Sequence, residues 1–591
     1  MEAKQTTSPI EKAPGNDDSD TNISSTVQEA DGNQAQFASP PIELGPNDEP
    51  IFKPNRDFYL AFTAMCVVTL TIALDATSLS VALPVVSTAL DGTALEAFWS
   101  GTSFLLASTV LQPSIASMSN ILGRKWVSSI HCIYITGLLF GAGSLLSALA
   151  GTFTIVLAGR TIQGIGGGGL IALTEVVVTD LVPLAQRGQW FSVLSAMWSV
   201  GTVTGPLIGA GFAQNVTWRW IFYINLPILG AGMVFVFLFL HQAKVSGDIG
   251  GKLKRFDWIG SVVFTAATTA FLFGLSTGGV MHPWKAWEVL LPLIIGVVGM
   301  GGFGYWEVKV AGRFSTPIID ARIFNNWDMV VSYMTTVFHG AILWSLLYFL
   351  TLYYQGVKHY SPITSAVAIL PETLTVAPAG MAVGIIAGIT GHYRWSIWGG
   401  WTLCTFGAGL LLLLKPETTI QQWIFLNLPI GLGAGMLYPA MALSIQAACV
   451  PGLNGQAAAF YSFIRGLGQS VGVAISGVVF QNVFRRKLLE IPRFKDLADA
   501  YSRDATIVVS VINGMPEGPE RRDLVQAYCD ALKIIWLTLM AFSAASMVLG
   551  FTVKGYTLKQ RHVTEQGLVG RDGARKDKEG VVQEKVIAAV L

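Results

Sequence analysis

Asp75 and Arg160 are the residues of this chain best placed to do chemistry. Asp75 lies in TLTIALDATSLSVALP and Arg160 in LAGRTIQGIGGGG, each inside a long apolar run. An ionisable side chain in such a run is costly, so it marks a functional position unless it is one partner of a structural ion pair. Thr71, Asp75 and Ser78 fall at i, i+4 and i+7 and share one helix face. A polar stripe of that kind should face a cavity or a partner helix and not lipid. If successive runs cross in alternate directions, the end of the first and the start of the fourth lie on one side. Asp75 and Arg160 are each about seven or eight residues from those ends, about 10–12 Å deep, so they can pair. A nearby arginine favours the charged carboxylate, while burial favours the neutral acid. A balance that shifts as a cavity opens and closes is what proton coupling requires.

Other polar residues sit in apolar surroundings. Arg160, Gln163 and Gly164 share a face, and the guanidinium, which does not deprotonate, suits anchoring a carboxylate or biasing a proton site. Glu175 is either a second proton site or an interfacial charge, and Asp180 with Arg187 reads as a loop-bracing pair. Glu372, after Pro371, is a further buried carboxylate candidate. Arg465 and Gln469 share a face in YSFIRGLGQSVG, and Arg465 needs an acceptor or a water-filled cavity. Thr71, Ser78, Gln163, Arg465 and Gln469 are therefore the expected cavity-lining polar residues, and Asp75, Arg160, Glu175 and Glu372 the expected proton-coupling set. His339 can titrate near neutrality or serve as a packing histidine. Asn215-Val-Thr217 is a glycosylation sequon in a short predicted outer loop.

Glycines come next. Gly201, Gly205 and Gly209 recur every fourth residue, with Pro206 inside the same run, so they stack on one face and allow close helix approach. Gly164, Gly166 and Gly169 spell G-x-G-x-x-G, but no strand precedes them, which excludes a dinucleotide fold and leaves helix packing. Gly123, Arg124 and Lys125, in SMSNILGRKW, form either ordinary positive charges beside a tight turn or a latch that pairs with acidic groups and helix ends.

The elements that must position these residues are legible from composition. The chain is 52% hydrophobic and 13% charged, against about 25% charged in soluble domains, and its mean hydropathy is +0.53. Fourteen apolar segments follow one another, at about 58–83, 97–118, 126–149, 153–178, 189–212, 218–241, 258–276, 287–307, 328–352, 361–388, 396–414, 422–449, 456–482 and 531–553. The expected fold is an all-α polytopic membrane protein with helices grouped six, two and six. Residues 1–56 read as a disordered cytoplasmic tail, 57–241 as an N-terminal six-helix bundle and 242–327 as two inserted helices with linkers. Residues 328–553 read as a C-terminal bundle with a long outer loop at 483–530, and 554–591 as a cytoplasmic tail. No secretory signal is expected, since residues 1–50 are polar. Lys and Arg concentrate in the loops on the N-terminal side, which places that side in the cytoplasm. Cys66, Cys132, Cys404 and Cys449 lie in apolar runs and Cys529 in a polar loop, which argues against a disulfide framework or a metal cluster.

The chain also repeats. Gly164, Gly166 and Gly168 align with Gly431, Gly433 and Gly435, and Gly188-Gln189 with Gly455-Gln456. Two similar halves are the footprint of a transporter that rocks about a central site. No G-x-x-x-x-G-K-[ST] is present, which excludes an ATP-driven pump within the chain, and no nucleophile–base motif suggests an enzyme.

LDATSLSVALP, QPSIASMSNILGRK, LAGRTIQGIGGGG, DLVPLAQRG, GTVTGPLIGAG and WRWIFYINLP occur in this order. Together they resemble the fourteen-helix drug:proton antiporter branch of the major facilitator superfamily, in the manner of fungal toxin or multidrug efflux pumps, over about residues 58–553. The resemblance implies alternating access and export of a small hydrophobic or amphipathic compound against protons, by a monomer without cofactor, metal or nucleic-acid partner. The plasma membrane is the expected site and the vacuole the second. Uptake or vacuolar transport of a siderophore or basic amino acid is the alternative. Asp75 matches the first-helix acid and Arg160 the fourth-helix arginine. Gly201, Gly205, Pro206 and Gly209 match the antiporter motif, and Gly123, Arg124 and Lys125 the loop signature. That signature departs at Asn120, where an aspartate is usual, and at Ala116, where a glycine is, so the latch would be weaker or use Asp180 or a helix end.

Overall fold

A computed structural model describes residues 54–91, 94–122, 129–240, 249–279, 281–450, 452–502 and 505–558. Among these there is no strand, only isolated bridges at Phe256–Thr316 and Gly278–His282. The N-terminal half holds α1 (Arg56–Ala89), α2 (Ala94–Val110), α3 (Gln112–Leu122), α4 (Ser129–Ala148), α5 (Phe153–Leu181), α6 (Leu184–Asn215), α7 (Trp220–Tyr223) and α8 (Asn225–Phe239). Then come α9 (Ile249–Arg255), α10 (Trp258–Thr277) and α11 (Trp287–Lys309). The C-terminal half holds α12 (Trp327–Leu352), α13 (Pro362–Ala368), α14 (Leu370–Thr390), α15 (Arg394–Leu411), α16 (Ile420–Ala448) and α17 (Asn454–Glu490). It ends with α18 (Ala498–Ser502), α19 (Ala505–Gly514) and α20 (Pro519–Thr552).

Over their described residues the fourteen apolar segments are mainly helical, because a backbone without water must satisfy its own hydrogen bonds. Among the described residues, eleven helices are by length and composition able to cross a membrane. The remaining three segments are α2 and α3, broken between Val110 and Gln112, the short apolar α4, and the 18-residue α15. Polar caps set several helix starts. The Asn55 carboxamide accepts from Phe58 N at 2.8 Å, and Thr419 with Gln422 forms a capping box on α16.

The expected outer loop at 483–530 is largely helical. The helix before it runs on to Glu490, the last helix begins at Pro519, and α19 lies between. Tyr528 donates to Ala505 O at 3.0 Å and holds α19 against α20. Cys529 therefore does not lie in a polar loop: it is buried in α20, where its thiol faces Leu414 O at 3.7 Å. All five cysteines are free.

Packing follows the repeat. α6 lies on α1 as α17 lies on α12, α5 on α2 and α4 as α16 on α14 and α15. Burial grades the helices: 78% of the most apolar window is buried in α5 and in α16, against 17% in the helix that starts at Trp287. α5 and α16 are central, and α11 is the least buried of these helices. Between halves, α6 meets α14 and α16, and α5 meets α17.

Candidate functional site

The buried acid of α1 is fully enclosed. Arg160 Nη1 donates to Asp75 Oδ2 at 2.5 Å, and Gln163 Nε2 and Asn225 Nδ2 each donate to Oδ1 at 2.8 Å. Three helices, α1, α5 and α8, thus meet on one carboxylate. Gln163 also reaches Ser144 Oγ at 2.6 Å and accepts from Arg160 at 2.7 Å. Arg160 Nε donates to Ser100 O at 3.0 Å, and its guanidinium lies 4.3 Å from the centroid of the Phe104 ring. Asp75 and Arg160 are both essentially inaccessible to solvent. Both oxygens of the Asp75 carboxylate have donors, which a buried ion pair needs to offset desolvation, while Asn225 Oδ1 has no hydrogen-bond partner among the described residues.

The glycines of α6 make this cluster possible by bringing α6 onto the opposite side of α1. A side chain at Gly201 would strike Ala73, one at Gly205 would strike Thr77, and one at Gly209 would strike the Ser78 carbonyl. Thr77 Oγ1 donates to Gly201 O at 3.1 Å across the same seam. The repeat has a structural counterpart. Gly164 and Gly168 press on α2 at Phe104 and Ser108 while Gly166 presses on α4; Gly431 and Gly435 press on α14 at Glu372 and Val376 while Gly433 presses on α15.

A cavity lies between the halves and encloses about 990 Å³, open solvent included. Matched positions of the repeat line it from both sides: Ser195 and Ser462, Trp198 and Arg465, Thr202 and Gln469, Phe104 and Glu372. Trp198 and Trp344 meet edge to face, their centroids 6.4 Å apart. Phe104 both lines the cavity and covers Arg160, so its ring separates the cavity from the Asp75 cluster.

Of the expected lining residues, Arg465 and Gln469 are in the wall. Thr71, Ser78 and Gln163 are buried in the N-terminal half instead. Thr71 Oγ1 donates to Val67 O at 2.8 Å, the Ser78 backbone carbonyl meets Gly209, and Gln163 is committed to Asp75. The stripe on α1 faces partner helices and not the cavity. Glu372 lines the cavity, and no described residue forms an ion pair with it.

On the side where α1 begins, the cavity is floored by contacts between halves. Glu175 Oε1 accepts from Arg465 Nη2 at 2.9 Å, joining α5 to α17. Arg187 donates to Val182 O and Thr179 O at the end of α5 and to Gln446 Oε1 of α16 at 2.7 Å, so it braces across halves as well as within its loop. Asp180 is half-buried at that end of α5. Ser192 Oγ donates to Gly380 O at 2.7 Å, and Gly188 meets Gly384 backbone to backbone. Gly123, Arg124 and Lys125 lie outside the described residues. Pro206 lies within α6, and Asn215 ends that helix, exposed, with its amide on Gly211 O at 3.0 Å. His339 is buried with Nε2 3.0 Å from Ala434 O.

Sequence reading missed Asn225 and Ser144. Asn225, an amide between apolar residues in INLP where α7 passes to α8, was the available signal. Ser144 carries none, since serine is common in such helices.

Two packed halves of apolar helices around a central cavity with buried charge pairs define a polytopic membrane transporter. The model of the Major Facilitator Superfamily matches residues 65–473, and the chain belongs to that family. It is 48% identical over 525 residues to the MFS transporter L2 of Phoma sp., covering 89% of this chain and 86% of that protein. It is 34% identical to the MFS-type efflux pump LUC4 of Fusarium sp., over 93% of this chain and 98% of the pump. A third relative, 34% identical over 87% of this chain and 92% of its own length, is the acurin A biosynthesis cluster MFS-type transporter of Aspergillus aculeatus. The chain is thus a secondary transporter of small molecules and not an enzyme.

Proposed function

We propose that the protein exports a small, largely apolar natural product from the cell in exchange for protons, by alternating access of its two halves. The observation that carries this reading is the Asp75–Arg160 contact beside the cavity, closed by Gln163 and Asn225. A proton on Asp75 removes its attraction for the permanently charged Arg160 and loosens the joint between α1, α5 and α8. Phe104 is then the divider between the proton site and the solute. Export and a natural-product solute are supported by the names of the relatives, an efflux pump and a biosynthesis-cluster transporter. The apolar wall with Trp198, Trp344 and Leu343 suits an amphipathic compound better than a polyamine or a basic amino acid.

With the α1 start in the cytoplasm, the contacts of Arg187, Ser192 and Arg465 shut the inner side, and the conformation described is occluded inward. Glu175 belongs to that inner closure, and Glu372 is the second carboxylate exposed to the solute. Fourteen spans, a monomer and the plasma membrane complete the proposal. The test is transport of a panel of hydrophobic compounds by purified protein in proteoliposomes under an imposed pH gradient. Wild type should require the gradient, and Asp75→Asn should bind solute yet lose gradient-driven movement. Equal transport without a gradient would overturn proton coupling and leave a facilitator.

A further inference from the structure

The buried charge pair between halves is incompletely satisfied. Arg465 spends Nη2 on Glu175 Oε1 at 2.9 Å, while Arg465 Nη1 and Glu175 Oε2 have no hydrogen-bond partner among the described residues. The guanidinium is held between two aromatic rings, 4.8 Å from the centroid of Tyr438 and 5.2 Å from that of Tyr461. Only about 8% of its side chain is exposed, yet it belongs to the cavity wall, with Gln469 one turn further along the same face. The contrast with Arg160 is direct, since that guanidinium meets a carboxylate, an amide and a carbonyl. A buried guanidinium whose Nη1 is unpartnered lacks the second contact that bidentate recognition of a planar acid would supply.

Resting on the export reading above, the geometry points to the substrate class: an amphipathic organic acid, whose carboxylate or ionised enol is received by Arg465 in competition with Glu175. The apolar body of the solute lies against the Trp198 and Trp344 side, and Gln469 offers a neighbouring amide. Exchange of Glu175 for the substrate's acid weakens the link between α5 and α17, so loading loosens the inner closure. Glu372, the other ionisable group in the wall, would disfavour an acid when ionised.

The test uses the full-length protein in nanodiscs and three pyrene probes that share a four-carbon chain and differ in head group: 1-pyrenebutyrate, 1-pyrenebutanol and 1-pyrenebutylamine. Energy transfer from the protein's tryptophans to pyrene reports binding, and no gradient is needed. Wild type should bind the acid roughly tenfold or more tightly than the alcohol, as expected for a hydrogen-bonded charge pair. Arg465→Gln should lose the preference for the acid, and its residual binding of the alcohol shows that the variant is folded. Glu175→Gln should bind the acid more tightly than wild type by severalfold, because the guanidinium loses its internal competitor. Equal binding of acid and alcohol by wild type, a preference for the amine, or an acid preference that survives Arg465→Gln would overturn the proposal. So would failure of wild type to bind the acid at all. Failure of proton coupling would show separately, as loss of gradient dependence in the liposome assay with this binding preference intact.

Discussion

Gly201 and Gly205 seat α6 on Ala73 and Thr77 of α1, and at the repeat-related places Gly468 and Gly472 seat α17 on Val337 and Ala341 of α12. Two residues beyond Ala73 stands Asp75; two residues beyond Val337 stands His339. On the fourth helix of each half, the place of Arg160 is taken by Asn427. The N-terminal pair is ionic, and its carboxylate collects donors from two other helices. In the C-terminal half, Asn427 donates to Tyr354 Oη at 2.7 Å and to Trp423 O at 2.9 Å, and His339 faces a single carbonyl. The glycine frame is therefore a packing device common to both halves, and the buried ion pair is particular to one. Pro206 is particular to that half as well, since Val473 stands at the related position. Charge in the C-terminal half is moved to the cavity wall, at Glu372 and Arg465.

The largest expected difference between halves is in stability. Arg160→Ala leaves the Asp75 carboxylate buried without its cation, a loss on the order of 3–5 kcal/mol. Asn427→Ala leaves only a neutral tyrosine hydroxyl without its partner, about 1–3 kcal/mol. Thermal unfolding of both variants in detergent should rank them in that order, and equal losses would break the comparison. The frame itself should respond alike in both halves. Gly205→Val and Gly472→Val each force a side chain onto an opposing helix, and each should cost about 1–3 kcal/mol. A Tm fall confined to Gly205→Val would mean that the two seams are not equivalent. The smallest effect belongs to His339→Gln, whose amide can still donate to the Ala434 carbonyl. Its stability should stay within about 1 kcal/mol of wild type, with an unaltered pH profile of transport. A shifted profile would move proton binding into the C-terminal half.

Much of this was legible before any coordinates, and the failures have a physical pattern. Asp75 and Arg160 could be matched because depth in a helix follows from counting residues at a fixed rise. The glycine repeat could be matched because close packing admits few residue types. Glu175 and Arg465 were each singled out, but not as partners, since they lie on opposite halves and only the docking of α5 on α17 brings them together. Thr71 and Ser78 were assigned to the cavity because a polar stripe can face either water or a neighbouring helix, and spacing does not distinguish the two. The helical stretch inside residues 483–530 was hidden by its charges: Arg485 pairs with Asp499 at the rim, and the apolar ATIVVSVING of α19 is too short to register as a span. Gly468 and Gly472 carry the same spacing as Gly201 and Gly205 and were available to the same argument.

The central claim is that Asp75 carries the coupled proton. Infrared difference spectroscopy of the reconstituted protein across a pH titration reads it most directly, through the carbonyl stretch of a protonated carboxylic acid. One component of that band should appear in wild type on acidification, disappear in Asp75→Asn and persist in His339→Gln and Glu372→Gln. A band unchanged by Asp75→Asn would contradict the account and place the proton elsewhere.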